Sequence, residues 1–238
     1  MTHPYTRKEL RSIIFGTLLG DSWLSSRGQF QCEQVTLDLI NYKRNILELL
    51  TNRNLNISER IRENQIIEGR RVIGKRTFKV AVNHPHYKKY YKVLYRNGRK
   101  TITNSLLRRL TPEAIAVWFM DDGYLDYKNK NNTRYLRICT DSYTEYEHFL
   151  IISWIKKTYN IDSFIYYHQS KKGGVKKPRL SFNGKNAQKF VALIYKYVLP
   201  CFYYKIDLKY TRMDSINIHP EYREAISFIS QNRATNFS

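Results

Sequence analysis

Two short, almost wholly apolar segments, each closing on an aspartate, constrain this chain more than any other feature of it. The first runs from Ser12 to Gly20 (SIIFGTLLG) and meets Asp21; the second runs from Ala114 to Met120 (AIAVWFM) and meets Asp121, Asp122 and Gly123. Asp21 and Asp122 stand 101 positions apart. Each segment carries a helix start signal. Thr6-Arg7-Lys8-Glu9 has the form of a capping box, and Thr111-Pro112-Glu113 supplies an N-cap, a proline at the first helical position and an early acid. Gly123 suits a left-handed cap. A helix that is apolar all round must be buried, and each of these has an obvious partner in the other. Gly16 and Gly20 lie one turn apart on one face, so a second helix can come close along that stripe. Packed side by side in one direction, the pair brings Asp21 and Asp122 together. Each carboxylate then faces the negative end of a helix dipole, unfavourable by roughly 0.3–1 kcal/mol, and the two repel one another. A hard divalent cation between them resolves both problems. Such a site stabilises the attacking and leaving oxygens of phosphodiester hydrolysis.

The repetition extends beyond the helices. Polar–apolar alternation over 23–36 and 124–140 reads as strand pairs. Amphipathic helices follow, one carrying Leu39, Tyr42, Ile46, Leu49 and Leu50, the other opened by Thr144 and Glu147 and carrying Tyr146, Phe149, Leu150 and Trp154. Further strands are expected at 57–62 with 77–82, and at 161–168 with 179–182. Each half closes on a helix, near 85–95 and 185–197. Lys100 and Lys205 then follow their half's acid at nearly equal spacing, 79 and 83 positions after Asp21 and Asp122. The expected fold is α+β: two pseudo-symmetric αββαββα repeats, residues 1–105 and 106–214, with a C-terminal extension over 215–238 in which 220–230 has the pattern of an added helix.

Charge narrows the function. Against 20 acidic residues stand 41 Lys and Arg, a formal charge of +21. On a folded domain that excess costs self-repulsion, which a polyanion relieves through counterion release. With 42% hydrophobic residues the chain is no disordered basic tail. No apolar run approaches the ~18–20 residues of a membrane span, and the first ten residues have no signal-peptide core. Three widely spaced cysteines, Cys32, Cys139 and Cys201, suit neither a disulfide framework nor a zinc site and point to a reducing compartment. The expected location is intracellular, in the cytoplasm of a bacterial or phage-infected cell or in an organelle.

The segments ending at Asp21-Ser22 and at Asp121-Asp122-Gly123 resemble the paired motifs of single-chain LAGLIDADG homing endonucleases, and Pro200–Lys205 (PCFYYK) resembles the closing segment of such enzymes. The likeness covers residues 6–210. The first motif departs from the consensus, with Leu19 in place of its first acid and Ser22 in place of its last glycine. The resemblance implies two sheets packed through the LAGLIDADG helices and straddling double-stranded DNA, and a monomer that cuts both strands of a long asymmetric site. It implies Mg2+, which Mn2+ can replace, and 3′ overhangs. Asp21, Asp122, Lys100 and Lys205 become the catalytic candidates. Asp21 and Asp122, joined by Gly20 and Asp121 at the equivalent positions before them, become the metal candidates. Thr36 and Asp141 are candidates for ordering water. Arg70, Arg71, Lys75, Arg76, Lys79, Arg134, Arg137, Lys171, Lys172, Lys176, Lys177 and Arg179 are candidates for DNA contact. An alternative on the same fold is an intron-encoded maturase that binds its own intron RNA, with or without DNA cleavage. A catalytically silent DNA-binding regulator is disfavoured, since binding alone gains little from paired carboxylates facing phosphates.

Overall fold

The computed structural model describes residues 5–61, 65–67, 70–72, 74–128, 133–169, 175–208 and 218–234. The first half runs α1 (Arg7–Leu19), β1 (Trp23–Leu24), β2 (Gln29–Gln34), α2 (Leu37–Thr51), β3 (Ser58–Ile61), β4 (Gln65–Ile67), β5 (Arg70–Val72), β6 (Arg76–Asn83) and α3 (Pro85–Leu94). A short hairpin, β7 (Tyr95–Arg96) with β8 (Arg99–Lys100), and α4 (Asn104–Leu107) lead out of it. The second half runs α5 (Pro112–Asp122), β9 (Gly123–Lys128), β10 (Thr133–Ile138), α6 (Glu145–Tyr159), β11 (Phe164–His168), β12 (Lys177–Asn183) and α7 (Gly184–Ile194). Two 3-10 turns, α8 (Tyr203–Ile206) and α9 (Pro220–Ala234) complete the described chain.

The duplication expected from sequence is present in the two main sheets. Both four-stranded sheets are antiparallel, in the orders β1-β2-β6-β3 and β9-β10-β12-β11. The first half adds the β4–β5 hairpin, which the alternation did not signal. Helix ends match too. α2 and α6 each span fifteen residues, follow a threonine N-cap and stop at an asparagine, Asn52 or Asn160, in the left-handed conformation. The capping boxes at Thr6–Glu9 and Thr144–Glu147 are formed. Gly123 is not left-handed: its φ of −81° is extended, because β9 starts there. A Cβ at that position would lie 2.3 Å from the Phe119 ring, so the glycine serves close packing.

Each sheet buries one row of side chains against a helix: Phe30, Cys32, Val80 and Val82 against α2 in the first half, Leu136, Ile138, Leu180 and Phe182 against α7 in the second. Of the expected stripes Leu39, Ile46 and Trp154 are buried and Tyr42, Leu50 and Leu150 pack at the edge of the core, but the fully inward rows are shifted. Leu39, Ile40, Lys43, Ile46 and Leu47 face inward in α2, and Glu147, His148, Ile151, Trp154 and Ile155 in α6. Leu49, Tyr146 and Phe149 are exposed, because their offsets from these stripes turn them to the outer side.

At the centre α1 and α5 run in the same direction. Near their starts, the Thr111 backbone N–H donates to Ser12 Oγ at 2.8 Å, and Tyr5 and Tyr42 both donate to Glu113 at 2.7 Å. At their ends, the Asp21 N–H donates to Asp121 Oδ2 at 3.2 Å. Gly16 permits the contact between: a Cβ there would lie 2.2 Å from the Ala114 carbonyl oxygen. The expected C-terminal helix is α9, which packs on α7 and buries Tyr222, Ala225 and Ile229. No described helix is long and apolar enough to cross a membrane, and the three cysteines are free thiols.

Candidate active site

Gly20 caps α1 and Asp21 follows it; Asp122 is the last residue of α5. Their meeting depends on Gly20, where a Cβ would stand 2.3 Å from Asp121 Oδ2. Three carboxylates therefore converge at one end of the helix pair, and they have different surroundings.

Asp121 is fully enclosed. Lys43 Nζ reaches both of its oxygens, at 2.7 and 2.8 Å, and the two side chains are 1% and 0% exposed. Gln34 donates to Asp121 Oδ1 at 3.0 Å and to Asp21 Oδ2 at 3.3 Å. Asp21 is exposed. Asp122 is more confined, and among the described residues no side chain donates to its carboxylate. Burial and the neighbouring Asp21 and Asp121 push its pKa up to about 7, against the pull of Lys100 and Lys43.

The lysines occupy matching places. Lys100, in β8, donates to the Gly20 carbonyl at 2.7 Å; Lys205, in α8, donates to the Met120 carbonyl at 2.7 Å. Each thus satisfies a carbonyl left open at a helix C-terminus, where the dipole favours a cation. Burial pushes both lysine pKa values down, and the three aspartates push them back.

The structure thus brings Asp21, Asp122, Lys100 and Lys205 to one place. The other two metal candidates are already engaged: the Asp121 side chain by Lys43 and Gln34, and the Gly20 carbonyl by Lys100. Among the described residues no three His, Cys, Asp or Glu side chains are grouped to hold a metal. The donor set on offer is the Asp21 and Asp122 carboxylates. Two adjacent carboxylates, one of them pushed toward protonation and given no donor by a described side chain, fit a hard divalent cation.

That environment carries a pH prediction. Asp122 binds a proton below about pH 7 in the folded chain but only near pH 3.8 when unfolded. The folded state then holds more protons between these values, so stability of the metal-free protein falls as pH rises through that window. Because a cation must displace this proton, apparent Mg2+ affinity rises over the same interval. Urea unfolding and Mg2+ titration across pH 5–8 measure both trends, and both flatten in Asp122→Asn.

The candidate DNA contacts divide by strand register. Lys79 and Glu33 are cross-strand partners on the face of the first sheet turned away from the helices. Arg76 is on the other face, paired with Glu59 at 2.9 Å. In the second sheet Arg137 and Arg179 lie on the outer row, and Arg134 shares the row of buried Leu136. Arg137 is 2% exposed, paired with Asp126 and stacked 3.4 Å from the Tyr166 ring centroid. Arg179 clasps Asp141 through two hydrogen bonds, which engages that candidate for ordering water. Lys75, Lys176 and Lys177 are exposed. The side chains of Arg70 and Arg71, and residues Lys171 and Lys172, lie outside the described residues. Thr36 stands at the N-cap of α2 without a side-chain cap bond.

The model of the LAGLIDADG DNA endonuclease family matches residues 11–190. The chain belongs to that family. Its relatives include the DNA endonuclease I-ChuI of Chlamydomonas applanata, 26% identical over 84% of this chain and 94% of that protein. The cytochrome b mRNA maturase bI2 of Debaryomyces hansenii is also 26% identical, over 84% of this chain and 74% of the relative. The match to Protein RecA of Mycobacterium gastri, 26% over 117 residues, takes in 46% of this chain and spans only 27% of that relative's length. Among solved structures, the homing endonuclease I-WcaI bound to its DNA recognition sequence shares the fold, with a TM-score of 0.67 and 22% identity over 87% of this chain and 88% of that one.

Two site residues, Lys43 and Gln34, escaped the sequence reading. Lys43 had a signal: it interrupts the i, i+3, i+4 apolar stripe Leu39, Ile40, Ile46, Leu47, a place a lysine takes only when its charge is paired inside. Gln34 had none, since it simply ends an alternating strand.

Proposed function

We propose that this protein is a site-specific homing endonuclease that hydrolyses both strands of a long, asymmetric double-stranded DNA site, with Mg2+ as cofactor and 3′ overhangs as product. One observation carries the reading: α1 and α5, equivalent elements of two repeats, deliver Asp21 and Asp122 to a single place, each half adding a partly buried lysine. Unlike halves suit a non-palindromic site, and a charge of +21 suits a polyanion. Asp21 and Asp122 hold the cation, which when bound supplies Lewis-acid stabilisation of the attacking and leaving oxygens. Lys100 and Lys205, fixed on helix-end carbonyls, place positive charge where the phosphate gains negative charge.

The test is cleavage, with Mg2+, of a plasmid carrying the DNA made by joining the two flanks of the gene's insertion locus. Linear product with 3′ ends, read by end sequencing, is expected; intact plasmid with every such junction contradicts the reading. Lys100→Ala and Lys205→Ala each slow cutting by about 10–1,000-fold without stopping it, measured as single-turnover rates; unchanged rates would limit both lysines to capping the helix ends.

A second reading has one observation behind it, the likeness to a yeast mRNA maturase over 84% of the chain. Splicing of the precursor RNA with and without protein decides it.

A further inference from the structure

We infer that Lys43 and Asp121 form a one-sided positioning pair that sets Asp21, and with it one of the two strand-cutting centres. The inference rests on the endonuclease reading above. Asp121 belongs to α5, yet both of its oxygens serve the other half. Oδ2 accepts the backbone N–H of Asp21 at 3.2 Å, and Oδ1 accepts Gln34, whose amide nitrogen also reaches the Asp21 carboxylate at 3.3 Å. Lys43 grips both oxygens from beneath and completes the relay. A buried carboxylate keeps such an orientation only while its countercharge is present.

The second half has no equivalent. By helix position Lys43 corresponds to Ile151, which is fully buried, and by motif Asp121 corresponds to Gly20. By sheet register Gln34 corresponds to Thr140, whose hydroxyl is turned to His148 Nε2 at 2.7 Å and to the Leu180 N–H at 3.0 Å. Among the described residues no relay reaches the Asp122 carboxylate. Asp21 is thus clamped through backbone and side chain, while Asp122 is held by its helix and by the Cys139 N–H on its backbone carbonyl at 2.9 Å, with no described side chain on its carboxylate. Because a displacement of about 1 Å can cost on the order of 100-fold in rate, loosening the clamp acts on one centre before the other.

The experiment follows each strand separately on doubly end-labelled target DNA with Mg2+, for wild type, Lys43→Met and Asp121→Asn. Thermal melting and DNA binding in EDTA monitor the fold. Both variants are expected to slow one and the same strand on the order of 10–100-fold and the other less than about threefold, so that nicked DNA accumulates. Should Lys43→Met fail to fold, Gln34→Met, which keeps the ion pair and cuts the relay, takes its place with the same expectation. Equal slowing of both strands, or of neither, overturns the inference. Failure of the endonuclease reading looks different: wild type itself cuts neither strand.

Discussion

Asp122→Asn, and separately Asp21→Asn, abolishes double-strand cleavage, with a loss on the order of 1,000-fold or more, while DNA binding in the absence of divalent metal stays within a few-fold of wild type. The size of the effect follows from the donor set. Asp21 and Asp122 are the carboxylates the site offers, one from each half, so losing either disables one of the two strand-cutting centres and with it the double-strand break. Asparagine keeps the shape and one acceptor oxygen but not the charge. At position 122 the substitution also removes the burial of a charge and the repulsion from Asp21 and Asp121 that together raise this group's pKa, so Asp122→Asn is expected to be at least as stable as wild type in metal-free buffer near pH 8. A dead enzyme with an intact fold is the combined outcome. Full cutting by either variant would place both residues outside the chemistry.

Gly16→Val gives the second large effect, of the opposite kind. Its Cβ would lie 2.2 Å from the Ala114 carbonyl oxygen, and that atom is helix backbone that cannot turn aside as a side chain does. The two helices must separate or slide, at an expected cost of roughly 1–3 kcal/mol or more for overpacking a close-packed contact. Their separation also pulls Asp21 from Asp121 and Asp122. Denaturant unfolding should show a lowered midpoint, and cleavage should fall by far more than the fraction unfolded explains. Gly98→Ala is a comparison: nothing lies within 4 Å of that position, and only its positive φ is at issue.

The frame of this site was legible because it is written twice. Asp21 and Asp122 share a place in the repeat, as do Lys100 and Lys205, and duplicated spacing survives where a lone helix-terminal acid would pass as an ordinary surface group. Four strands in each half and an added helix over 220–230 were legible in the sequence, and the helix runs on to Ala234. What depends on phase was harder to read. Arg76 and Lys79 are three apart, as are Arg134 and Arg137, and residues an odd number apart on a regular strand point to opposite faces. All four were candidate DNA contacts, yet one of each pair lies on the helix side. The relay of Lys43, Asp121 and Gln34 joins three elements and becomes visible only when α2, β2 and α5 meet. Arg137 and Arg179 show the same limit from the other side: their charge is plain in the sequence, and their partners, Asp126 and Asp141, are set by tertiary folding.

Anomalous scattering from Mn2+ in crystals of the protein bound to its target DNA tests the central claim most directly. Density peaks within about 2.0–2.3 Å of carboxylate oxygens of both Asp21 and Asp122, beside the backbone to be cut, are what the paired helices predict. Peaks at a different acid cluster, in crystals whose dissolved contents still cleave, would contradict it.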